Sequence, residues 1–230
     1  KKDNADTLTI TNFFVKAATN SKATIIPTLF NGNLPAHVVI DGLYIPSSVN
    51  IVGAKNELIQ VENVSSFTIK NSNLQGVKMS AFEFVGAKAA ITAGQSKSIV
   101  FENNIINGIG DSAAVVNFIS TNYTSLRFNN NTVINTSAVE LAKAIGAEES
   151  ADGMAALELE VKNNWFNALK NVIKITTGAD SANLRNILAT IEKNFTNTIY
   201  SEDEASMIGV SLDAKDHGFS ANSYYTDAAM

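Results

Sequence analysis

The side chains best suited to chemistry in this sequence are carboxylates. Six of them are candidates for a binding site: Asp111, Glu102, Glu160, Glu192, Glu148 and Asp152. Asp111 follows a flexible glycine-rich turn, where it could bind a cation, although such acids more often serve the turn itself. Glu102, Glu160 and Glu192 are interpreted as one outward strand position, the fourth of a repeated motif, in three repeats. Such a row is either a solvated polar face or a carbohydrate-binding strip.

The residues that would complete a catalytic site are scarce. A polysaccharide lyase needs a carboxylate cluster for calcium and an Arg or Lys base. Arg127 and Arg185 are the only arginines, His37 and His217 are the only histidines, and all four are predicted to be surface or turn residues. Phosphate-binding glycine loops, nucleophile elbows and histidine-rich metal motifs are absent from the sequence. The sequence therefore predicts no catalytic residue, no cofactor and no metal site.

The composition argues against several classes of partner. The chain has 17 basic and 22 acidic residues, a net charge of -5, and no arginine-rich basic patch. Nucleic-acid-binding proteins usually carry such a patch, so nucleic acid is not expected. There are no cysteines, which excludes disulfides and thiolate metal sites. No apolar run approaches the roughly 20 residues of a membrane-spanning helix.

A repeated strand motif organises the chain. It reads apolar-x-apolar-x followed by a polar pair that is often Asn-Asn, and it recurs about every 30 residues. The copies begin at Leu8, Val38, Phe67, Ile99, Leu126, Leu159, Ala189 and, in degenerate form, Phe219. Alternation of this length predicts a short strand with one buried face. A second apolar strand follows most copies, at Ile25, Leu58, Phe82, Val116, Ile173 and Ile208. Strands at such regular spacing predict a stacked array.

Asparagine occupies the turn after the first strand in most repeats. The chain contains 28 asparagines, and this residue tolerates left-handed backbone angles better than any other except glycine. Its amide can also donate to one coil of a stack and accept from the next. We therefore predict a structural ladder whose members are Asn71, Asn103, Asn130, Asn163 and Asn194. Gly42 holds the same turn position in an earlier repeat and suits the same backbone.

With these Asn-Asn motifs and two strands per repeat, the chain resembles the pectate-lyase superfamily of right-handed β-helices from Leu8 to about Tyr225. It most resembles β-helical domains of bacterial surface and secreted proteins that handle glycans. The resemblance implies an all-β fold, a single right-handed parallel β-helix (a solenoid) spanning 1–230, with about 7–8 coils of about 30 residues. Members of the superfamily are often lyases or hydrolases, but their paired aspartates and Gly-His-Gly segment are absent here.

Two further expectations concern the core and an interruption of the repeat. The predicted core residues are Leu8, Ile10, Val38, Ile40, Phe67, Ile69, Ile99, Phe101, Leu126, Phe128, Leu159, Val161 and Ile191. The stretch 138–152 (AVELAKAIGAEESAD) breaks the pattern and is predicted to be an inserted helical or loop segment. Such an insertion either projects from the binding face of a solenoid or shields a sheet edge.

Three functions are compatible with this sequence. The first is a non-catalytic domain of an exported bacterial protein, at the cell surface, in the periplasm or secreted, that binds or displays polysaccharide. The second is a polysaccharide lyase or glycoside hydrolase with a divergent acidic site, which predicts two carboxylates within ~10 Å on one sheet face. The third is a structural spacer or adhesin stalk. A binding domain predicts exposed aromatic side chains instead. The polar start of the chain predicts further domains upstream in a longer protein.

Overall fold

The described part of the chain consists of short β-strands. The computed structural model describes residues 7–12, 24–25, 28–30, 37–46, 50–51, 57–62, 66–75, 80–85, 98–107, 114–119, 123–134, 143–149, 157–167, 171–177, 187–197, 206–211 and 225–227. In chain order the strands are β1 (Thr7–Thr11), β2 (Thr24–Ile25), β3 (Thr28–Phe30), β4 (His37–Asp41), β5 (Tyr44–Ile45), β6 (Asn50–Ile51), β7 (Glu57–Glu62), β8 (Ser66–Lys70), β9 (Asn73–Leu74), β10 (Ser80–Val85), β11 (Ser98–Glu102), β12 (Ile105–Asn107), β13 (Ala114–Ile119), β14 (Ser125–Asn129), β15 (Thr132–Ile134), β16 (Lys143–Glu149), β17 (Leu157–Lys162), β18 (Trp165–Asn167), β19 (Asn171–Thr177), β20 (Ile187–Glu192), β21 (Phe195–Asn197), β22 (Ser206–Ser211) and β23 (Tyr225–Asp227). Within these ranges the chain forms no helix, and hence none with the length and hydropathy to cross a membrane.

Eight parallel strands form the first sheet, one from each repeat. Their order is β1-β4-β8-β11-β14-β17-β20-β23. Each strand pairs with the strand that begins about 30 residues later, so that Leu8 lies opposite Val38 and Leu159 lies opposite Ala189. Because parallel neighbours need a crossover connection, the chain must return to the same end of the sheet in every repeat. The motif spacing thus predicted the strand pairing correctly.

Two further parallel sheets repeat this order. The second contains β3, β7, β10, β13, β16, β19 and β22, and the third contains β5, β9, β12, β15, β18 and β21, while β2 pairs with β6. The second sheet includes most of the second apolar strands that the sequence predicted. The strands of the third sheet are two or three residues long and follow directly on the turn after each first-sheet strand. Stacked parallel sheets of this kind are compatible with a β-helix.

The inward residues of the first sheet form the predicted core. Those found buried are Val38, Ile40, Phe67, Ile69, Ile99, Phe101, Leu126, Phe128, Leu159, Val161 and Ile191. The side chains of Leu8 and Ile10 lie outside the described part. Ring contacts continue from repeat to repeat, with centroids 6.3 Å apart for Phe67–Phe101, 5.6 Å for Phe101–Phe128 and 6.0 Å for Phe128–Phe166. Each such pair stabilises the stack by about 0.5–1.5 kcal/mol beyond the burial of its area.

The predicted helical character of 138–152 is wrong for residues 143–149. This segment forms β16, which lies between β13 and β19 with Ile145 opposite both Val116 and Ile173. Its alanines and glutamates have a high helix propensity, but neighbouring strands offer backbone hydrogen bonds on both sides and bury Ala144 and Ile145. Tertiary context therefore overrides local propensity. Residues 138–142 and 150–152 lie outside the described part.

The last strand of the first sheet also differs from the prediction. The degenerate copy was placed at Phe219, which lies outside the described residues. The strand that pairs with β20 is β23, with Tyr225 opposite Thr190. A motif that has lost its Asn-Asn pair no longer marks the turn, so its register could not be read from alternation alone.

The turn after each first-sheet strand from β1 to β20 is left-handed, as predicted. The backbone φ is +53° at Asn71, +55° at Asn103 and +56° at Asn163, and the same conformation occurs at Gly42 (+82°) and Lys193 (+53°). The N–H of each turn residue from Asn12 to Asn163 donates to a carbonyl of the following repeat, as from Asn163 to Glu192 at 3.1 Å. A Cβ atom at Gly42 would lie 3.0 Å from the side chain of the preceding repeat's turn residue, which is a second reason for glycine there.

Lys193 is the turn residue least suited to its backbone. A left-handed conformation costs an ordinary L-residue about 1–2 kcal/mol, and asparagine less. We expect Lys193→Asn to raise the free energy of unfolding by about 1 kcal/mol, measured by urea denaturation. The reciprocal control, Asn163→Lys, should lower the free energy of unfolding by a similar amount. If both variants unfold at the wild-type midpoint, the turn conformation does not limit stability.

Candidate functional site

A buried column of side chains follows the left-handed turn. Its members occupy the position after the turn residue: Ser72, Asn104, Asn131, Asn164 and Asn194. The oxygen of each amide accepts from the backbone N–H of the preceding repeat, at 3.1 Å for Ser72 to Asn104 and 2.7 Å for Asn131 to Asn164. This buried ladder joins five consecutive repeats through their side chains.

Asn131 illustrates how completely the buried ladder is satisfied. Its Oδ1 accepts from the backbone N–H of Asn104 at 3.0 Å and from Asn104 Nδ2 at 2.9 Å. Its Nδ2 donates to the carbonyl of Phe101 at 3.0 Å and to Asn164 Oδ1 at 3.2 Å. Two donors and two acceptor sites are all that a side-chain amide has. An amide is therefore the side chain that this position requires.

The predicted ladder was placed one residue too early in four of its five members. Asn71, Asn103, Asn130 and Asn163 are exposed turn residues, and only Asn194 belongs to the buried ladder. Within the described part, one hydrogen bond links side chains of this exposed set, from Asn103 Nδ2 to Asn71 Oδ1 at 3.4 Å. The two residues of an Asn-Asn pair have different roles. The first adopts the left-handed turn and points outward, and the second points into the core and joins the buried ladder.

The three acids that were assigned to one strand position lie on two different rows. Glu102 and Glu192 occupy the last outward position of β11 and β20, whereas Glu160 lies opposite Arg127 and Thr190, one outward position earlier. All three are on the outward side of the first sheet, which we call the charged face. Its other described charged side chains are Asp41, Lys70, Arg127, Glu158 and Lys162.

Glu160 is the most connected acid of the charged face. Its carboxylate accepts from Asn129 Nδ2 at 2.6 Å and pairs with Arg127 at 3.1 Å and Lys162 at 3.3 Å. Lys162 also contacts Glu192 at 3.6 Å. The hydrogen bond from Asn129, followed by Lys162, holds the pKa of Glu160 below its usual value, and the bond to Glu160 raises the pKa of Lys162. Glu160 is thus a fixed anion that joins β14 to β17, and Lys162 extends the network to Glu192 on β20.

This pairing predicts a pH dependence of stability. A carboxylate whose pKa is lowered by folding stabilises the protein above the unfolded-state pKa, near 4.5, and this contribution is lost as pH falls through the lower folded-state pKa. We expect Glu160→Gln to lose less stability than wild type between neutral and acid pH in urea denaturation. In the Glu160→Gln background, Asn129→Ala should add no further pH-dependent change. Parallel stability curves for Glu160→Gln and wild type would contradict the assignment.

A shallow depression of about 240 Å³ lies on the charged face. Its polar lining includes Arg127, Glu158, Glu160 and Thr190, and the half-exposed Leu188 borders it. The Cα atoms of two outward residues of one strand, such as Glu158 and Glu160, lie roughly 7 Å apart. That separation suits a pair of catalytic carboxylates, but a lowered pKa makes Glu160 a poor proton donor. Within the described ranges, no group of three or more His, Cys, Asp or Glu side chains could hold a metal ion.

Several of the remaining predicted site residues lie where the structure is not described. Asp111 and Asp152 lie outside the described residues, as do Arg185 and His217. Glu148 lies in β16 of the second sheet, opposite Thr176, and not on the charged face. His37 is hydrogen-bonded to Ser66 of the neighbouring strand, with 2.7 Å between Nδ1 and Oγ. Of the four predicted acids that the structure describes, Glu102, Glu160 and Glu192 share the charged face, and Glu148 lies in the second sheet.

Three of the four most exposed large apolar side chains of the described part lie on the third sheet, and the sequence did not single them out as a site. We call the first outward residue of each third-sheet strand the aromatic row: Tyr44, Asn73, Ile105, Thr132, Trp165 and Phe195. Phe195 is 61% exposed, Trp165 48% and Ile105 42%. The rings of Trp165 and Phe195 meet edge to face, with centroids 6.3 Å apart and planes at 72°.

Polar amides border the aromatic row on both sides. On one side is the turn row, which is made of Asn71, Asn103, Asn130, Asn163 and Lys193, all exposed. On the other side is the distal row, whose described side chains are Pro46, Gln75, Asn107, Ile134 and Asn167, all partly exposed. The signal for this face was in the sequence: Trp165 and Phe166 are adjacent in a strand, so one must point inward and the other outward.

Comparisons with known proteins give no relative for this chain. No protein-family model matches it, and no curated protein or solved structure is significantly similar to it. What the aromatic row and the charged face do must therefore be inferred from their own geometry.

Proposed function

We propose that this chain is a non-catalytic polysaccharide-binding domain of an exported bacterial protein. In this proposal its parallel sheets belong to a single right-handed β-helix of about 7–8 coils, of the pectate-lyase-like kind. The regular strand order and the buried ladder support that architecture. The solenoid presents equivalent residues of successive repeats as continuous rows, which suits a ligand that is itself a repeating chain.

The observation that carries the proposal is the exposed aromatic pair between two amide rows. A sugar ring has apolar C–H groups on its faces and hydroxyl groups around its rim. Aromatic rings such as Trp165 and Phe195 offer apolar contact area to the faces, and side-chain amides such as Asn163 and Asn167 both donate and accept hydrogen bonds. Exposed rings bordered by amides therefore match the two surfaces of a sugar.

A second candidate, an enzyme, is favoured by the depression on the charged face. Glu158 and Glu160 lie on one strand beside Arg127. Against this, Glu160 is held as an anion by Asn129, Lys162 and Arg127, whereas a general acid needs a raised pKa. Glu160 acts in our interpretation as a structural anion between strands.

The experiment that tests the proposal is a glycan array combined with assays for new reducing ends and for unsaturated products. Plant, algal and host polysaccharides would serve as probes. We expect binding without product. Product formation would overturn the non-catalytic assignment and make Glu158 and Glu160 the first residues to mutate. The absence of both binding and product would contradict the proposal and would favour a structural spacer.

A further inference from the structure

We infer that the ligand of the aromatic row is an uncharged polysaccharide whose chain lies along the stacking direction of the strands. The inference rests on the proposed function and specifies the class and orientation of its ligand. Among the described side chains of the aromatic, turn and distal rows, Lys193 is the one charged group. Carboxylated and sulfated polymers are recognised by arginine and lysine side chains acting together, which a single lysine at one edge cannot supply.

The charged face is not an alternative site for an acidic polymer. Its cations are engaged with neighbouring carboxylates: Lys70 with Asp41 at 3.3 Å, and Arg127 and Lys162 with Glu160. A polyanion would have to displace these ion pairs. It would also approach a chain with a net charge of -5, whose field opposes association with negative ligands.

The direction of the ligand follows from the shape of the apolar surface. Ile105, Thr132, Trp165 and Phe195 are direct neighbours on four consecutive strands. With a strand spacing of roughly 4.8 Å they extend over about 14 Å. Along a strand, in contrast, the aromatic row is one residue wide, and at Ile105 and Trp165 it ends at an amide of the turn row and an amide of the distal row. A long ligand gains continuous apolar contact only if it crosses the strands.

The angle between the two rings also favours a chain over a single sugar. Because the planes of Trp165 and Phe195 stand at 72°, they form a corner, and one flat sugar ring cannot lie on both. Successive rings of a chain can contact them in turn. Asn130 and Asn163 border the same stretch, are exposed, and have no side-chain hydrogen bond to another described residue, so their amides are available to hydroxyl groups.

The test is calorimetric titration of the full chain with starch, galactomannan and mixed-linkage β-glucan as neutral probes, and polygalacturonate and alginate as acidic ones. We expect at least one neutral polymer to bind. Its affinity should not change when the salt concentration rises about tenfold, since no charged contacts are screened. Oligosaccharides of the bound polymer should bind more tightly with length up to about four rings, the number of strands in the apolar stretch.

Each other outcome has a distinct meaning. Preference for an acidic polymer, with affinity that falls with salt and is unaffected by Trp165→Ala, would overturn the inference and leave polysaccharide binding standing. A monosaccharide that binds as tightly as the polymer would overturn the chain orientation. If none of the polymers binds, the proposed function itself is wrong. The chain could instead bind no glycan and self-associate in a way that Trp165→Ala abolishes. That result would assign the aromatic row to contact with a second copy of the chain, and it would overturn both the inference and the proposed function.

Discussion

Asn131→Ala is expected to lower the free energy of unfolding by at least about 3 kcal/mol, a large part of the ~5–15 kcal/mol typical of a folded domain. Truncation removes the partners of three buried groups: the N–H and one Nδ2 proton of Asn104, and the carbonyl of Phe101. Each buried group left without a hydrogen bond costs about 1–3 kcal/mol. Urea denaturation followed by circular dichroism measures the loss.

The matched control is the preceding residue. Asn130 is exposed and left-handed, so Asn130→Gly keeps the backbone conformation and removes an amide that faces solvent. It should change the free energy of unfolding by less than about 1 kcal/mol. Equal effects of Asn130→Gly and Asn131→Ala would mean that the buried ladder does not hold the repeats together.

Trp165→Ala should abolish most of the binding to the proposed neutral polysaccharide. Loss of a central aromatic contact residue commonly costs at least ~2 kcal/mol, which is a roughly thirtyfold weaker affinity. Because the indole is half exposed and lies outside the core, the variant should retain its fold. Calorimetric titration gives the affinity, and the urea midpoint verifies that the stack is intact.

Leu188→Ala is the control for Trp165→Ala. Leu188 is 50% exposed, against 48% for Trp165, but it lies on the charged face beside the depression. It should leave binding unchanged. If Leu188→Ala weakens binding and Trp165→Ala does not, the ligand lies on the charged face, and the aromatic row is not the site.

The repeat and its core could be predicted because they depend on local alternation. Val38, Phe67 and Leu126 each begin an apolar-x-apolar pair, and all are buried at equivalent positions. Strand register follows from the same pattern, since a shift by one residue would turn every core side chain outward. The prediction failed at Tyr225, in the repeat where the motif had decayed.

The ladder and the segment around Ile145 required information that is not local. In an Asn-Asn pair both residues have the same chemistry, and only the turn geometry decides that Asn130 points outward and Asn131 inward. Residues 143–149 carry helix-favouring side chains, yet they complete a sheet whose neighbouring strands lie far away in sequence. Both outcomes depend on contacts between repeats rather than on propensity.

The aromatic row was missed because no single repeat contains it. Trp165 and Phe195 lie in different repeats, and only the pairing of β18 with β21 makes them neighbours. The sequence drew attention to acids instead, and Glu160 proved to be engaged with Arg127 and Lys162. The repeat motif already aligned Trp165 with Phe195, but it did not show that both rings are exposed.

The most direct test of the aromatic row as the binding site is tryptophan fluorescence of the unmodified chain. Trp165 is its single tryptophan, so the whole signal comes from the proposed site. A titration with the polysaccharide found by the array should shift the emission to shorter wavelength and protect the indole from acrylamide quenching, with the same midpoint as calorimetry. Calorimetric binding with unchanged emission and unchanged quenching would contradict the account.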